Sequence, residues 1–269
     1  MTVPKRLAAA VFSLFLFLSS PMVLRIGASE QKPPKPEDVV ERSIIFYGSR
    51  AALYGIQRNG TLRALIKFYT SDGIREGKSV TKFIRKGKLG EDLTMIEIDV
   101  PGSPRYTIGY DGQETWAIQD GEIQKPTAEV TEQFRTANEH SYEALLRYKE
   151  NGAKLEFAGT NKLGTLEMYL VDMISASGIK TRYEISSRTG RIIYSNYEDS
   201  KTPPVKYRLY YKNFKPVQNT LVPYEYQVFQ DGKLIEERTL IEAVFNIQLD
   251  DKDFKVENAN KPPEAEVKP

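Results

Sequence analysis

The apolar positions change period twice along this chain. Val40, Ile44, Tyr47 and Ala51 recur at spacings of three and four, which predicts a helix over 38–54. Asp38 is placed to cap it, Gly48 and Gly55 weaken it, and Asn59-Gly60 ends it. From Thr61 the period drops to two. Segments 61–70, 79–87, 92–100, 106–110 and 115–119 are rich in β-branched and aromatic residues and are divided by Asp72-Gly73, Pro101-Gly102 and Asp111-Gly112, with a hairpin-type turn at Asp120-Gly121. Helical spacing returns from Thr127 to Glu150 through Val130, Phe134, Ala137, Tyr142, Leu145, Leu146 and Tyr148. It slips near Asn138–Ser141, which predicts a kink or break there. The remainder reads as strands over 153–160, 166–174, 180–187, 191–197, 205–214, 221–230 and 233–249, an antiparallel meander and not a βαβ array.

Several strands are apolar on both faces. In 166–174, Leu166, Met168 and Leu170 face one way while Tyr169, Val171 and Met173 face the other. In 238–249, Ile241, Ala243, Phe245, Ile247 and Leu249 share a face, and Leu240 and Val244 lie on its reverse. A flat sheet with one wet face alternates more strictly than this. The pattern suits an α+β, mostly β fold with a strongly curved antiparallel sheet, its inner surface covered by helices or by a ligand. An ordinary thick β core without a cavity fits it equally well.

The ends differ from the middle. Lys5 and Arg6 precede the apolar run Leu7–Leu18, Pro21 interrupts it, and Gly27-Ala28-Ser29 offers small residues. This is the layout of a secretory signal peptide over 1–29, with cleavage expected after Ser29. The alternative is a membrane anchor, but the run of about twelve residues falls short of the roughly twenty needed to span a bilayer. The segment 30–38 (EQKPPKPED) reads as a flexible Pro-rich lead-in and 258–269 as a disordered tail, leaving 39–257 as one domain. Export by this route predicts a periplasmic location.

Composition narrows the chemistry. No cysteine is present, so disulfides, thiolate nucleophiles and Cys-based metal sites are excluded. Lys and Arg number 38 against 36 Asp and Glu, and removing Lys5, Arg6 and Arg25 with the leader takes the formal charge from +2 to −1, which argues against a nucleic-acid partner. His140 is the single histidine and no Gly-x-Ser-x-Gly elbow accompanies it, so a surface or lid histidine is the better reading than a catalytic base. Gly73 to Ser79 is one residue short of a phosphate-binding loop and leads into a strand, where that loop must open a helix. Asp250, Asp251 and Asp253 lack the glycine and distal glutamate of a calcium loop and read as a solvated turn. Glu97, Asp99, Asp172 and Glu184 sit in strands, where cross-strand pairing with Lys or Arg is expected in preference to paired-carboxylate catalysis. The alternation of basic and aromatic residues in KYRLYYKNF (206–214) reads as a sheet edge or a pocket rim.

Four stretches carry a family likeness. They are the early helix with TLRALIKFYTSDG, then FIRKGKLGEDLTMIEIDV, then YTIGYDGQETWAIQDGEI, and last LVPYEYQVFQDGKLIEERTLIEAVFNIQLDDKDF. With these the chain resembles the LolA/LolB-like superfamily of outer-membrane lipoprotein-sorting carriers. The resemblance spans most of the mature chain and is architectural, not catalytic. It implies an incomplete antiparallel barrel, a half-barrel covered on its concave side by helices acting as a lid.

The resemblance also implies a non-enzymatic carrier or chaperone, without cofactor or metal, that holds lipid or the acyl chains of a lipidated protein. Membrane-bound donor and acceptor proteins and a monomeric state belong to the same expectation. Cavity candidates are Phe83, Met95, Trp116, Phe134, Leu145, Met168 and Phe245, because aromatic and Met side chains give large adaptable apolar area. The departures are that no motif locates the lid residues, and that the chain is longer than the compact carriers. The competing reading is an envelope-stress sensor or scaffold that binds protein partners through the same fold.

Overall fold

Pro36 opens helix α1 (Pro36–Phe46), where its missing N–H leaves no bond unmade. The helix therefore begins two residues before Asp38, inside the segment expected to be flexible. The computed structural model describes residues 32–259, so the expected leader and all but the first two residues of the expected tail lie outside the described residues. The single helix expected over 38–54 is two helices. Gly48 takes φ 121°, which no helix continues through, and α2 (Ser49–Gly55) starts in a new direction.

Strands β1 (Asn59–Thr70), β2 (Gly73–Ile84), β3 (Leu93–Asp99), β4 (Tyr106–Tyr110), β5 (Thr115–Gln119) and the short β6 (Glu122–Gln124) follow as a meander. Helices α3 (Ala128–Glu139) and α4 (Tyr142–Leu146) come next and break at His140-Ser141, where the apolar period slips. Each has a hydroxyl N-cap: Thr127 Oγ1 accepts from Val130 N–H at 3.2 Å and Ser141 Oγ from Ala144 N–H at 3.2 Å. A second meander runs through β7 (Lys154–Leu163), β8 (Leu166–Ile174), β9 (Lys180–Ser186), β10 (Ile192–Glu198), β11 (Lys206–Val217), β12 (Thr220–Gln230) and β13 (Lys233–Phe245). A short 3-10 turn at Asp251–Phe254 and α5 (Val256–Ala259) close the described chain.

All thirteen strands form one antiparallel sheet in the order β6-β5-β4-β3-β2-β1-β13-β12-β11-β10-β9-β8-β7. The two meanders are joined at its centre, where β1 pairs with β13. The sheet is not closed, and β6 and β7 are its free edges. The segment 125–153, which carries α3 and α4, links one edge to the other.

Directly paired residues point to the same side of a sheet, so register sorts side chains into two faces. Helices α1, α2 and α4 pack on one of them. Their core joins Val40, Ile44, Tyr47 and Leu145 to Val171, Tyr183, Ile185, Ile192 and Tyr211, each at most 4% exposed. On the opposite face Phe254 seats against Ile84 and Leu93. The aspartates expected to form a solvated turn cap the 3-10 turn that places it. Asp253 Oδ2 accepts from Asp250 N–H at 2.8 Å, and Asp250 caps in return.

One expected face is corrected by a bulge. Arg63 pairs with Glu242 but Ala64 pairs with Leu240, so Ile241 is the extra residue. It is 59% exposed, whereas Ala243 and Phe245 are buried on the helix face. Leu240 shares that face with them, and the alternation counted from Ile241 fails at that point.

Candidate functional site on the helix face

Helices α1, α2 and α4 leave part of the helix face open. Three neighbouring ladders cross it: Tyr211–Tyr226–Arg238–Ile66–Gly77, then Leu209–Val228–Glu236–Phe68–Arg75, and Leu240–Ala64–Ser79–Ile98–Tyr106. Phe68, Val228, Ile96 and Ile98 are half-buried and belong to none of the packed clusters. Ala64, Ile66 and Ser79 in the middle of these ladders are buried, so the half-exposed residues lie to either side of a covered centre. The result is a half-exposed apolar strip beside a filled core.

One charge pair stands in the strip. Arg238 Nε donates to Glu236 Oε1 at 2.5 Å, the side chains being 16% and 19% exposed. The guanidinium lies 5.5 Å from the centre of the Tyr226 ring. Burial raises the Tyr226 hydroxyl far above the ordinary tyrosine range, yet the residue keeps accessible surface.

Helix α3 differs from α1, α2 and α4 in its burial. None of its residues is buried, and its apolar side chains Val130 and Phe134 are half-exposed. Exposed polar contacts join it to the β10–β11 turn: Lys201 Nζ to Glu129 at 3.1 Å and Ser200 Oγ to Glu132 at 3.2 Å. Its C-terminal end is fastened better. His140 is 2% exposed and stacks on Tyr197 with ring centroids 3.6 Å apart, and its Nδ1 lies 2.5 Å from Thr181 Oγ1. Burial lowers its pKa to about 4. His140 is therefore a sealed packing group, not the surface histidine expected, and no carboxylate is among its hydrogen-bond partners.

The seven cavity candidates do not meet in one place. Phe83 and Phe245 pair with Gly60 from either side and pack together on the helix face, centroids 6.3 Å apart. Leu145 is fully buried in the core under α1 and α4, and Phe134 lies half-buried on α3. Met95 and Trp116 share a ladder with Gly109, one residue out of phase with the Phe83 ladder, and so project from the opposite face. There Trp116 Nε1 donates to Phe254 O at 2.9 Å. Met168 is also on the opposite face, where it lines a groove of about 1080 Å³ between β7 and β12. Lys206, Tyr207, Arg208 and Tyr210 of the KYRLYYKNF segment line the same groove. That segment is not a sheet edge, since β11 lies between β10 and β12.

Three of the four strand carboxylates are paired with cations, Asp172 with Arg182 and Lys180, Glu184 with Arg208 and Glu97 with Arg105, while Asp99 is exposed and forms no such pair among the described residues. Asp172 and Glu184 are also buried, which the expected cross-strand pairing by itself does not require. Among the described residues no cluster of three or more His, Asp or Glu could hold a metal ion, and no helix is long and apolar enough to cross a membrane. Sequence reasoning also missed Phe68, Val228, Ile96 and Ile98. Their signal was an apolar residue at every second position opposite small ones, which is visible in the sequence only once strand partners are known.

No family profile and no curated protein matches the chain. Solved structures do. A DUF1329 family protein from Desulfovibrio piger superposes with a TM-score of 0.59 at 12% identity, over 84% of this chain and 99% of that one. A domain described as an outer membrane lipoprotein-sorting protein from Vibrio parahaemolyticus gives 0.58 at 12% identity, over 84% and 100%. A LolA superfamily protein from Nitrosomonas europaea gives 0.55 at 11% identity, over 84% and 99%. The chain thus has a LolA-like fold, an unclosed antiparallel sheet with helices on one face.

Proposed function

We propose that this chain is a non-enzymatic periplasmic carrier that holds an acyl chain of a lipid or lipidated protein. The ligand lies on the helix face, between the apolar strip of β1, β3 and β12 and the seating side of α3. The observation that carries this reading is the half-exposed row of Phe68, Val228, Ile96 and Ile98 on the helix face, in a fold whose helix α3 buries none of its own residues. An acyl chain in water costs about 0.8 kcal/mol for each exposed CH₂. A carrier must offset that cost and still release its cargo, and a loosely seated amphipathic helix over an apolar strip meets both needs. The core under α1, α2 and α4 is filled, so the acyl chain runs beside it and not through it.

The N-terminal signal-peptide pattern supports the periplasmic assignment. The architecture shared with a lipoprotein-sorting domain supports carriage, and the sealed position of His140 supports binding in preference to catalysis. Phe134, Phe83 and Phe245 are proposed to border the acyl site. The test is gentle native mass spectrometry on protein recovered from the periplasm. Lipid adducts on the full chain, lost in Phe68→Asp, support the proposal. An adduct-free mass together with a protein partner that stays bound after delipidation replaces carriage with the scaffold reading.

A further inference from the structure

The groove on the opposite face is built from charge and rings. Two carboxylates lie beneath it, nearly closed off by the sheet: the Asp172 side chain is 4% exposed and that of Glu184 7%. Both are saturated. Asp172 accepts from Arg182 Nε and Nη2 at 2.7 and 2.8 Å and from Lys180 at 2.6 Å. Glu184 accepts from Arg208 Nη2 at 3.0 Å, Asn161 at 3.0 Å and Asn196 at 3.2 Å. Arg182 and Lys180 hold the Asp172 carboxyl below its usual range, against the effect of its burial.

Donors remain after that accounting. Lys180 and Arg182 share one carboxylate. Lys206 comes no nearer than 3.9 Å to Glu198, and Lys162 no nearer than 3.6 Å to Glu167. Arg208 Nε is buried without a hydrogen-bond partner. The buried acceptors are used up, while the guanidinium and ammonium groups retain N–H groups, so the groove complements an acceptor-rich anion. Rings surround these donors. Arg208 lies 3.7 Å above the centre of Tyr194, and Tyr194 stacks on Tyr210 at 4.6 Å. Tyr210 and Phe229 stay half-exposed. At about 1080 Å³ the volume lies just above that of pockets that take a discrete molecule, about 300–1,000 Å³.

We infer that this groove is a second binding site, on the far side of the sheet from the acyl site, for an organic phosphate whose apolar or ring-bearing body rests on the tyrosines. An anionic phospholipid headgroup and a soluble phosphate ester share this chemistry. The site does not depend on the acyl-carrier reading, because no residue is common to the two.

The test follows the Arg Nε–Hε and backbone NMR signals of the full mature chain at low salt. Dihexanoyl phosphatidylglycerol, dihexanoyl phosphatidylcholine, glycerol 3-phosphate and inorganic phosphate are titrated in turn. Saturable shifts at Arg182, Arg208 and Tyr210 are expected with phosphatidylglycerol or glycerol 3-phosphate, and whichever binds tighter identifies the source. Affinity is expected to fall about tenfold or more in Arg208→Gln and in Lys206→Gln. Lys206 is 72% exposed in its side chain, so its substitution leaves folding intact. Glu184 keeps Asn161 and Asn196 when Arg208 is replaced. Phe68→Asp is expected to leave these shifts unchanged even where it abolishes acyl loading. The inference is overturned by an absence of saturable shifts, by equal binding of phosphatidylcholine, by inorganic phosphate binding as tightly as either ester, or by loss of the shifts in Phe68→Asp.

Discussion

The imidazole of His140 lies flat on the ring of Tyr197, with centroids 3.6 Å apart and planes within 3° of parallel. This stack, with Thr181 at Nδ1, fastens the α3–α4 junction to β9 and β10. Burial lowers the histidine pKa from 6.5 to about 4. Between those values the unfolded chain binds the proton and the folded chain does not, so stability falls as pH falls through that window. The full difference corresponds to about 3 kcal/mol. Thermal melts of the mature chain from pH 7 to pH 4.5 are expected to show a falling Tm, and His140→Gln is expected to flatten the trend. A flat wild-type profile contradicts the sealed imidazole.

Below that window a second group takes over. Glu41 of α1 is raised by burial, but Arg50, Lys149 and Tyr148 outweigh it and hold its carboxyl at about 2, against 4.5 in the unfolded chain. Its contribution is present above pH 4.5 and is lost as pH falls toward 2. Because the carboxylate is partly exposed, salt is expected to shrink the effect. Acid titration of Glu41→Gln at low and high salt checks this: the wild type should lose more stability than the variant between pH 4.5 and 2, and the excess should shrink as salt rises.

Arg147, 4% exposed, joins the end of α4 to the start of β3 by donating to both oxygens of Asp92 and to Lys86 O. Removing one partner strands a buried charge. Asp92→Ala is expected to cost about 3–5 kcal/mol in urea unfolding, and Asp92→Asn less, because the amide oxygen still accepts. Equal losses in the two variants would show that the retained acceptor contributes nothing and that the lost charge accounts for the whole effect.

Gly109 lies against the Trp116 ring so closely that an added Cβ would sit 2.3 Å from Cζ2. Gly109→Ala must push the ring from its bond to Phe254 O and is expected to cost about 1–3 kcal/mol. Trp116 is the only tryptophan, so its emission reports the change directly. A red shift is expected in the folded variant, and unchanged emission would mean the C-terminal turn does not seal the ring.

Acyl loading provides the functional check. Phe68→Asp and Val228→Asp charge the strip at half-exposed positions and are expected to lower loading about tenfold or more without unfolding the sheet. Phe134→Asp on α3 tests the other side of the same site. Lipid counted per folded protein decides it, and normal loading in all three variants removes the helix face as the site.

Local patterns carried the topology well and the site poorly. The break between α3 and α4 was legible because a slip in a period of 3.6 is a local event, and the caps at Thr127 and Ser141 lie beside it. The β1–β13 pairing was not legible, because it joins the ends of the domain and nothing near Leu62 signals Ala243. The candidate residues suffered for the same reason. Trp116 and Phe83 are both large and apolar, but one step of register sends them to opposite faces.

The sequence by itself determined that the chain is mostly antiparallel β with two helical interruptions, that it lacks thiol chemistry, and that its N-terminus has the pattern of an export signal. Periodicity, composition and turn residues are properties of neighbours in the chain, and they suffice for those conclusions. Only the tertiary structure decided which face each side chain serves, that the core under α1 and α4 is filled while Phe68 and Val228 stay half-exposed on the same face, and that Arg182 and Arg208 gather around one groove. Those outcomes depend on strand register and on a one-residue bulge at Ile241, set by the packing of strands far apart in sequence.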